Sequence, residues 1–415
     1  MEAVLALAGA TVIDGTGAGP RHGQVVVVEG GRIRGLAREA PREAEAVDLT
    51  GTTLIPGLID AHSHLGLSSD MDALAAGQVS AAEIAAAIFT TAGRALREGF
   101  TTVRDVGGID VGVVRAIASG AVPGPRVLTS GPILSQTGGG GHYAPGWEPV
   151  TAWEARDMPG LLGLSLLADG PDAMRRAARE AFRRGADFLK LMVTGAVLAN
   201  GDELDHTQLS VEEIAVAVAE ARARNTYVTV HAHNNAGIRH ALEAGALCVE
   251  HGSRLDEETA AAMRRGGASL VPTLSVAHQL ITSPAAVGLP PEMAGRARVV
   301  LEGMEQAVRV AMAEGVAIGS GSDLIGPGQV RRGGELVLKS ALMGPMAALE
   351  SATRVNARIL GLAEQVGTIE PGKVADLVAL DGSPLEDPEI FGDPDRIRLV
   401  MRAGKTVSGI LDHMI

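Results

Sequence analysis

Two histidines separated by one residue, His62 and His64, close the run Gly57-Leu58-Ile59-Asp60-Ala61-His62-Ser63-His64-Leu65. Leu58 to Ala61 reads as a buried strand, and in an extended chain positions i and i+2 share a face. The pair therefore presents two imidazoles to one point, which is a metal-ligand arrangement. Lys190 sits inside the apolar run Phe188-Leu189-Lys190-Leu191-Met192. An ammonium there is costly unless it is paired or neutralised. His231 ends the run Tyr227-Val228-Thr229-Val230-His231, His251 ends Leu247-Cys248-Val249-Glu250-His251, and Asp323 ends Gly319-Ser320-Gly321-Ser322-Asp323. Taken singly, each has a plain structural reading: a strand-end histidine satisfied by hydrogen bonds, or an aspartate that forms a turn. Metal chemistry requires the fold to bring the six together.

The elements that must do so alternate. From Leu58 onward, apolar strand-like runs begin near 58, 100, 126, 187, 227, 247, 268 and 316. Helical segments fall at about 82–98, 171–184, 211–224, 236–244 and 346–359. Strand–helix alternation implies a parallel sheet, and eight repeats imply a closed (β/α)8 TIM barrel, whose active site lies at the C-terminal ends of the strands. All six residues fall in or just past such strands. Residues 1–56 and the tail after the last helix are instead rich in short strands and glycine turns. The economical arrangement is a small discontinuous β-sandwich of 1–56 with 361–415, flanking a barrel at 57–360. The acidic, proline-rich stretch from Asp381 to Pro394 reads as a surface loop.

Composition bounds the rest. The chain has 415 residues, 46% hydrophobic but only 2% aromatic, so its core rests on Ala, Val, Leu and Ile. A net charge of −13 argues against nucleic acid or an anionic membrane as the main partner. The only cysteine, Cys248, rules out an intrachain disulfide framework and favours a cytoplasmic protein. The apolar start, Val4 to Ala8, has no basic residue before it and reads as a first strand rather than a signal peptide. No uninterrupted apolar run reaches the roughly 20 residues needed to span a bilayer.

The set Pro56-Gly57-Leu58-Ile59-Asp60-Ala61-His62-Ser63-His64, Lys190, His231, Val249-Glu250-His251-Gly252 and Gly319-Ser320-Gly321-Ser322-Asp323 closely resembles the amidohydrolase superfamily, in its binuclear-metal branch with a carboxylated lysine. The tail from Asn356-Ala357-Arg358 through Gly367-Thr368-Ile369-Glu370-Pro371-Gly372-Lys373 to Asp376-Leu377-Val378 is similar to that superfamily's C-terminal signature, so the resemblance covers essentially the whole chain. It implies a distorted (β/α)8 barrel with a small β-sandwich made by both termini. It also implies two divalent metal ions, usually zinc. His62, His64 and Asp323 would hold one, and His231 and His251 the other. Lys190, N-carboxylated by CO2, would bridge both and lose its buried positive charge. Asp323 would serve as general base and then general acid.

Lys190 argues against the single-metal deaminases of that superfamily. The runs Asp187 to Gly195 and His231-Ala232-His233-Asn234 resemble its Xaa-Pro dipeptidase, carboxypeptidase-like and ochratoxin-amidase-like members. The expected reaction is release of a C-terminal amino acid from a dipeptide or N-acyl amino acid. The expected partner is a small amide substrate, with assembly as a homo-oligomer. The alternatives are hydrolysis of a cyclic amide, carbamate or urea, xenobiotics included, and a non-catalytic binding protein.

The loop after the third strand departs from the family pattern. Where relatives carry Thr-Gly-Gly-His-Gly, this chain has Thr137-Gly138-Gly139-Gly140-Gly141-His142-Tyr143. Either His142 takes over the substrate contact or Gly140 replaces it. Tyr143 and His233 are further candidates for the substrate side, and Tyr143 and Trp147 read either as a lid or as anchors of this loop. Arg331 and Arg332, in the loop after Asp323, are placed to meet a substrate carboxylate, but the simpler reading is a solvated charge pair. His22, His206, His240, His278 and His413 read as structural or surface residues.

Overall fold

A computed structural model describes residues 4–70, 73–74, 77–154, 156–197, 202–284 and 291–409. His413 lies outside them. At the centre is a ring of parallel strands. Phe100–Asp105 lies between Leu58–Ser63 and Arg126–Thr129. A second parallel sheet runs in the order Ser165–Leu167, Ile133–Ser135, Leu189–Met192, Val228–Ala232, Cys248–His251, Ser269–Val271. Backbone bonds join the two sheets at both seams. The Asp187 N–H donates to the Thr129 carbonyl at 2.7 Å. At the other seam the Leu270 N–H donates to Ala317 at 2.9 Å, and the Ala61 N–H donates to Ser320 at 2.9 Å. The molecule is thus a distorted (β/α)8 barrel carrying a β-sandwich.

The distortions have local causes. The third strand breaks at Ser130-Gly131-Pro132, where Gly131 has φ +61° and Pro132 has no N–H to give to a ladder. It resumes as Ile133–Ser135, which pairs through Leu134 with Leu191. The eighth strand, expected at 316–320, forms one bridge, Ile318 with Leu270, rather than a ladder. A side chain does the ladder's work. Asn356 Oδ1 accepts from the Ser320 N–H at 3.0 Å, and Asn356 Nδ2 donates to the carbonyls of Ile59 and Ser320, both at 2.7 Å. Asn356 follows a π turn, Ser351–Val355, inserted between the helices Pro345–Glu350 and Asn356–Ile359. The expected continuous helix over 346–359 is therefore interrupted where its last turn faces the strands.

The outer helices begin where their caps direct. Ala81–Arg97 opens with a capping box between Ser80 and Glu83, and Val211–Arg222 with one between Ser210 and Glu213. Three helices that periodicity had not marked follow the seventh and eighth strands: Leu274–Thr282, Pro291–Glu314 and Gly334–Met343. No helix of the described residues is long and apolar enough to cross a membrane.

Two further sheets contain the termini. One, from the N-terminal part alone, runs Arg32–Ala37, Val25–Glu29, Leu5–Ala8, Glu45–Asp48. The other interleaves both ends in the order Thr11–Val12, Thr52–Pro56, Leu377–Asp381, Ile397–Arg402, Lys405–Gly409. Their facing residues, among them Leu7, Val26, Leu54, Leu377 and Met401, form one core. Outward from it, Ile13, Ile55, Val378 and Leu380 pack with Ile84, Ile88 and Phe100 of the barrel. The proline-rich stretch is not a free surface loop. It forms the 3-10 turns Pro388–Gly392 and Pro394–Arg396, and Ile390 and Phe391 are buried in that same barrel cluster. Acidic and proline content marked it as a loop, but two apolar side chains anchor it.

Candidate active site

Strand ends bring the sequence candidates to one cavity. His62, His64, Lys190, His231, His233, His251, Asp323 and Tyr143 all line it. Nε2 of His62 and Nε2 of His64 each lie 3.4 Å from Asp323 Oδ1, longer than an ordinary hydrogen bond. His251 Nδ1 is 3.9 Å from Asp323 Oδ2. His62, His251 and Asp323 each offer a ligand atom within 4.8 Å of the other two, a spacing that can take a metal ion.

The outer nitrogens explain how the rings are aimed. His62 Nδ1 donates to Glu250 Oε2 at 2.7 Å, and His64 Nδ1 donates to the Gly107 carbonyl at 2.8 Å. Both rings thereby turn Nε2 toward Asp323. His231 Nε2 donates to the Gly195 carbonyl at 3.2 Å, which leaves its Nδ1 unprotonated. His251 Nδ1 is hydrogen-bonded to Thr273 Oγ1 at 2.7 Å. Such outer partners set the tautomer and direction of ligating imidazoles. The backbone is strained at the same place: His251, Thr273 and Asp323 hold φ of +69°, +57° and +52°, a region that side chains other than glycine rarely occupy. Gly321 is required for packing. A Cβ there would lie 2.4 Å from His62 Cβ.

Two buried ion pairs underlie the site, and motif reading had singled out neither. Arg104, fully buried, donates to Glu250 Oε1 at 2.6 Å and to the Ala61 carbonyl. Thr229 Oγ1 also donates to that carboxylate. On the other side, Arg332 Nη1 donates to Asp60 Oδ2 at 2.7 Å and to Ser63 Oγ at 3.0 Å. Asp60 in turn accepts from Ser322, from both its N–H and its hydroxyl, at 2.9 and 2.7 Å. Arg332 is fully buried, so the reading of Arg331 and Arg332 as a solvated pair holds only for Arg331, which is exposed. The signal for a buried pair was present but unread: Arg104 and Glu250 each lie in a barrel strand that is buried along its whole length.

Electrostatics favour neutral imidazoles. Burial lowers His64 to about 4 and His233 to about 3, and it holds His231 and His251 well below their ordinary value. His62 differs. Burial and Lys190 push it down, but Asp323 and Glu250 outweigh them and leave it raised. Burial lowers Lys190 to about 8. The neutral ring is the form that binds metal.

The loop after the third strand sends Tyr143 to the cavity, and His142 does not line it. His142 Nδ1 accepts from the Gly138 N–H at 3.0 Å, and its ring packs 6.0 Å from Trp153. Burial of Gly139 to Gly141 folds the loop in, with Gly140 N–H on Gln208 Oε1 and Gly141 N–H on Ser135 Oγ. Trp147 points out, 87% exposed. His233 Nδ1 pairs with Ser253 Oγ at 2.9 Å, so its Nε2 edge faces the cavity it lines. Among the other histidines, His206 pairs with Asp202 at 3.0 Å and His22 with Thr11 at 3.1 Å, and neither lines the cavity.

The amidohydrolase family pattern matches residues 53–407. The chain belongs to the amidohydrolase family. Its relatives agree. Ochratoxinase of Aspergillus niger is 33% identical over 364 residues, 86% of this chain and 76% of that one. A prolidase crystallised with N-methylphosphonate-L-proline superposes with a TM-score of 0.91 at 34% identity, covering 98% of this chain and 100% of that one. A Xaa-Pro dipeptidase with methionine in its active site gives a TM-score of 0.86 at 28% identity, covering 98% of this chain and 100% of that one. This amidohydrolase is thus an amide-hydrolysing enzyme, of a family that is generally metal-dependent.

Proposed function

We propose that this amidohydrolase binds two divalent metal ions, zinc foremost, and releases a C-terminal amino acid from a dipeptide or N-acyl amino acid. The observation that carries the reading is the convergence of four histidines, Lys190 and Asp323 on one buried cavity. The prolidase, Xaa-Pro dipeptidase and ochratoxinase relatives support the substrate class. The same reading divides the chain into a hydrolase barrel at 57–360 and a sandwich of 1–56 with 361–415.

The donor set suits such ions. Neutral imidazoles and a carboxylate are ordinary zinc ligands, and the outer hydrogen bonds already point them inward. His62, His64 and Asp323 would hold one ion, and His231 and His251 the other. Lys190 would serve both after N-carboxylation by CO2. Lowering of its pKa to about 8 favours that step, because only the free amine attacks CO2. Ions in such a site supply Lewis-acid polarisation of the scissile carbonyl and lower the pKa of water.

The chain's own residues do the rest. Asp323 is held below the ordinary carboxylate range: burial raises it, but His62, His64 and Lys190 outweigh burial. It is ionised at neutral pH and accepts a proton from the attacking water. It then delivers that proton to the leaving nitrogen. Tyr143, kept protonated because burial pushes its phenol up to about 12, donates a hydrogen bond to substrate from the third-strand loop. His233 offers a neutral imidazole edge beside it.

Metal analysis combined with a substrate panel tests the reading. Zinc-loaded enzyme should carry two ions per chain and hydrolyse Xaa-Pro dipeptides or N-acyl amino acids in preference to lactams and arylureas. Activity confined to lactams and arylureas would overturn the substrate class. Well under two ions per chain, unrescued by zinc and bicarbonate, would overturn the metal site.

A further inference from the structure

The end of the cavity that holds the candidate metal ligands is polar, and the wall beside it is not. Leu67, Val276, Leu280, Ala297 and Ile325 line the cavity and belong to one apolar cluster. They come from four places: the turn Leu65–Leu67 after the first strand, the helix Leu274–Thr282, the helix Pro291–Glu314, and the loop just past Asp323. The wall is fastened at its base. The Gly326 N–H donates to the Leu67 carbonyl at 2.8 Å, and Gln279 Nε2 donates to the Ile325 carbonyl at 3.2 Å.

Among the described residues lining the cavity, Lys190 and Asp323 are the only ones of formal charge, and both belong to the metal-facing end. Arg296, next to Ala297 on its helix, does not line the cavity; its guanidinium is taken up by backbone carbonyls, including that of Ala196 at 3.5 Å. It also donates to the Asp202 carbonyl at 3.0 Å and lies 3.5 Å from Glu203 Oε2. A charged group brought against this wall would lose its hydration without gaining a partner, whereas an alkyl or aryl group would gain from leaving water.

The position of Asp323 tells which part of the substrate meets the wall. Ile325 lies two residues beyond Asp323, and Leu67 three residues beyond His64. A carboxylate that hands a proton to the leaving nitrogen must lie beside that nitrogen, so the leaving residue lies on the side of the first and eighth strands. This step rests on the proposed role of Asp323. From the wall's composition and its place next to Asp323, we infer that the enzyme selects substrates whose leaving amino acid carries a large, uncharged hydrophobic side chain.

N-acetyl amino acids that differ only in the leaving residue test this: alanine, valine, leucine and phenylalanine against lysine and glutamate. The kcat/KM should rise about fourfold for each methylene buried, and the lysine and glutamate members should fall at least ~100-fold below leucine. The free amino acids, titrated calorimetrically into zinc-loaded enzyme, should bind in the same order. Leu280→Ala should flatten the series, and Leu280→Asp should raise lysine relative to leucine, with zinc content unchanged in both. A flat series, or one led by a charged residue, overturns the inference while leaving amide hydrolysis intact. If no N-acetyl amino acid is hydrolysed, the proposed reaction fails instead. The binding order of the free amino acids then still decides the wall: leucine and phenylalanine ahead of lysine upholds it, and equal binding overturns it.

Discussion

Glu250 Oε2 lies 2.7 Å from His62 Nδ1, while its other oxygen is held by Arg104 at 2.6 Å. The carboxylate therefore sits between a candidate ligand and a buried guanidinium. Its pKa is lowered despite burial, because Arg104 and His62 outweigh the loss of hydration. Glu250→Gln keeps the shape but removes the charge that orients His62. Zinc affinity should fall by roughly 10–100-fold, measured by competition with a chelator. Equal affinity in the variant would show that Glu250 does not orient the ligand.

Lys190 is 2% exposed, and burial lowers its pKa to about 8. At pH 7 about a tenth of such amines are neutral, roughly 300 times the fraction in an ordinary lysine. The amine is thus available to CO2. Enzyme equilibrated with 13C-bicarbonate and zinc should show a carbamate carbon by NMR that Lys190→Arg lacks. Lys190→Ala should lose at least ~100-fold in kcat, in line with removal of a catalytic metal ligand. Short carboxylic acids should restore part of it. Full activity in the alanine variant would refute the bridging role.

Asp105 closes the second strand and accepts the Leu65 N–H at 2.7 Å and the Gly107 N–H at 3.2 Å. Burial raises its pKa to about 7, against these hydrogen bonds. The folded chain therefore holds this proton more tightly than the unfolded chain. The associated stability is complete below about pH 4 and is lost as pH rises to about 7. For the metal-free protein the loss is on the order of 4 kcal/mol. Asp105→Asn should flatten that slope in denaturant titrations between pH 4 and 7. An unchanged slope would mean that Asp105 does not titrate there.

Arg332 joins Asp60, Ser63 and Gln329 in the interior and stitches the loop after Asp323 to the first strand. Its own backbone N–H is held by Glu98 at 2.9 Å. Arg332→Met leaves Asp60 buried without its counter-charge, a change that typically costs about 3–5 kcal/mol. The midpoint of chemical denaturation should fall accordingly. A variant as stable as the parent would mean that Ser322 and the His62 N–H satisfy Asp60 without the guanidinium.

Much of the architecture is legible along the chain. Alternating apolar runs and helical segments marked eight barrel strands, and metal-capable residues at their ends marked the cavity. That works because both signals are local: a parallel strand is a short apolar run, and its C-terminal residue points to the mouth wherever the barrel closes. The interleaved terminal sheet was legible for the same reason, since strands flanked both ends of the barrel pattern.

Other features depend on contacts between segments far apart in the chain. The eighth strand has little ladder of its own, and Asn356, distant in sequence, bonds to both the N–H and the carbonyl of Ser320. Tyr143 rather than His142 reaches the cavity because Gln208 and Ser135 hold the glycines before them. Arg332 looked solvated beside Arg331, and partners far away in sequence, Asp60 and Ser63, hold it inside. The apolar wall joins Val276, Leu280 and Ala297 of two helices to Leu67 and Ile325 of a turn and a loop, residues that become neighbours only on folding. Spacing along the chain records which way a side chain leaves its strand, but what it meets there depends on segments that approach from elsewhere.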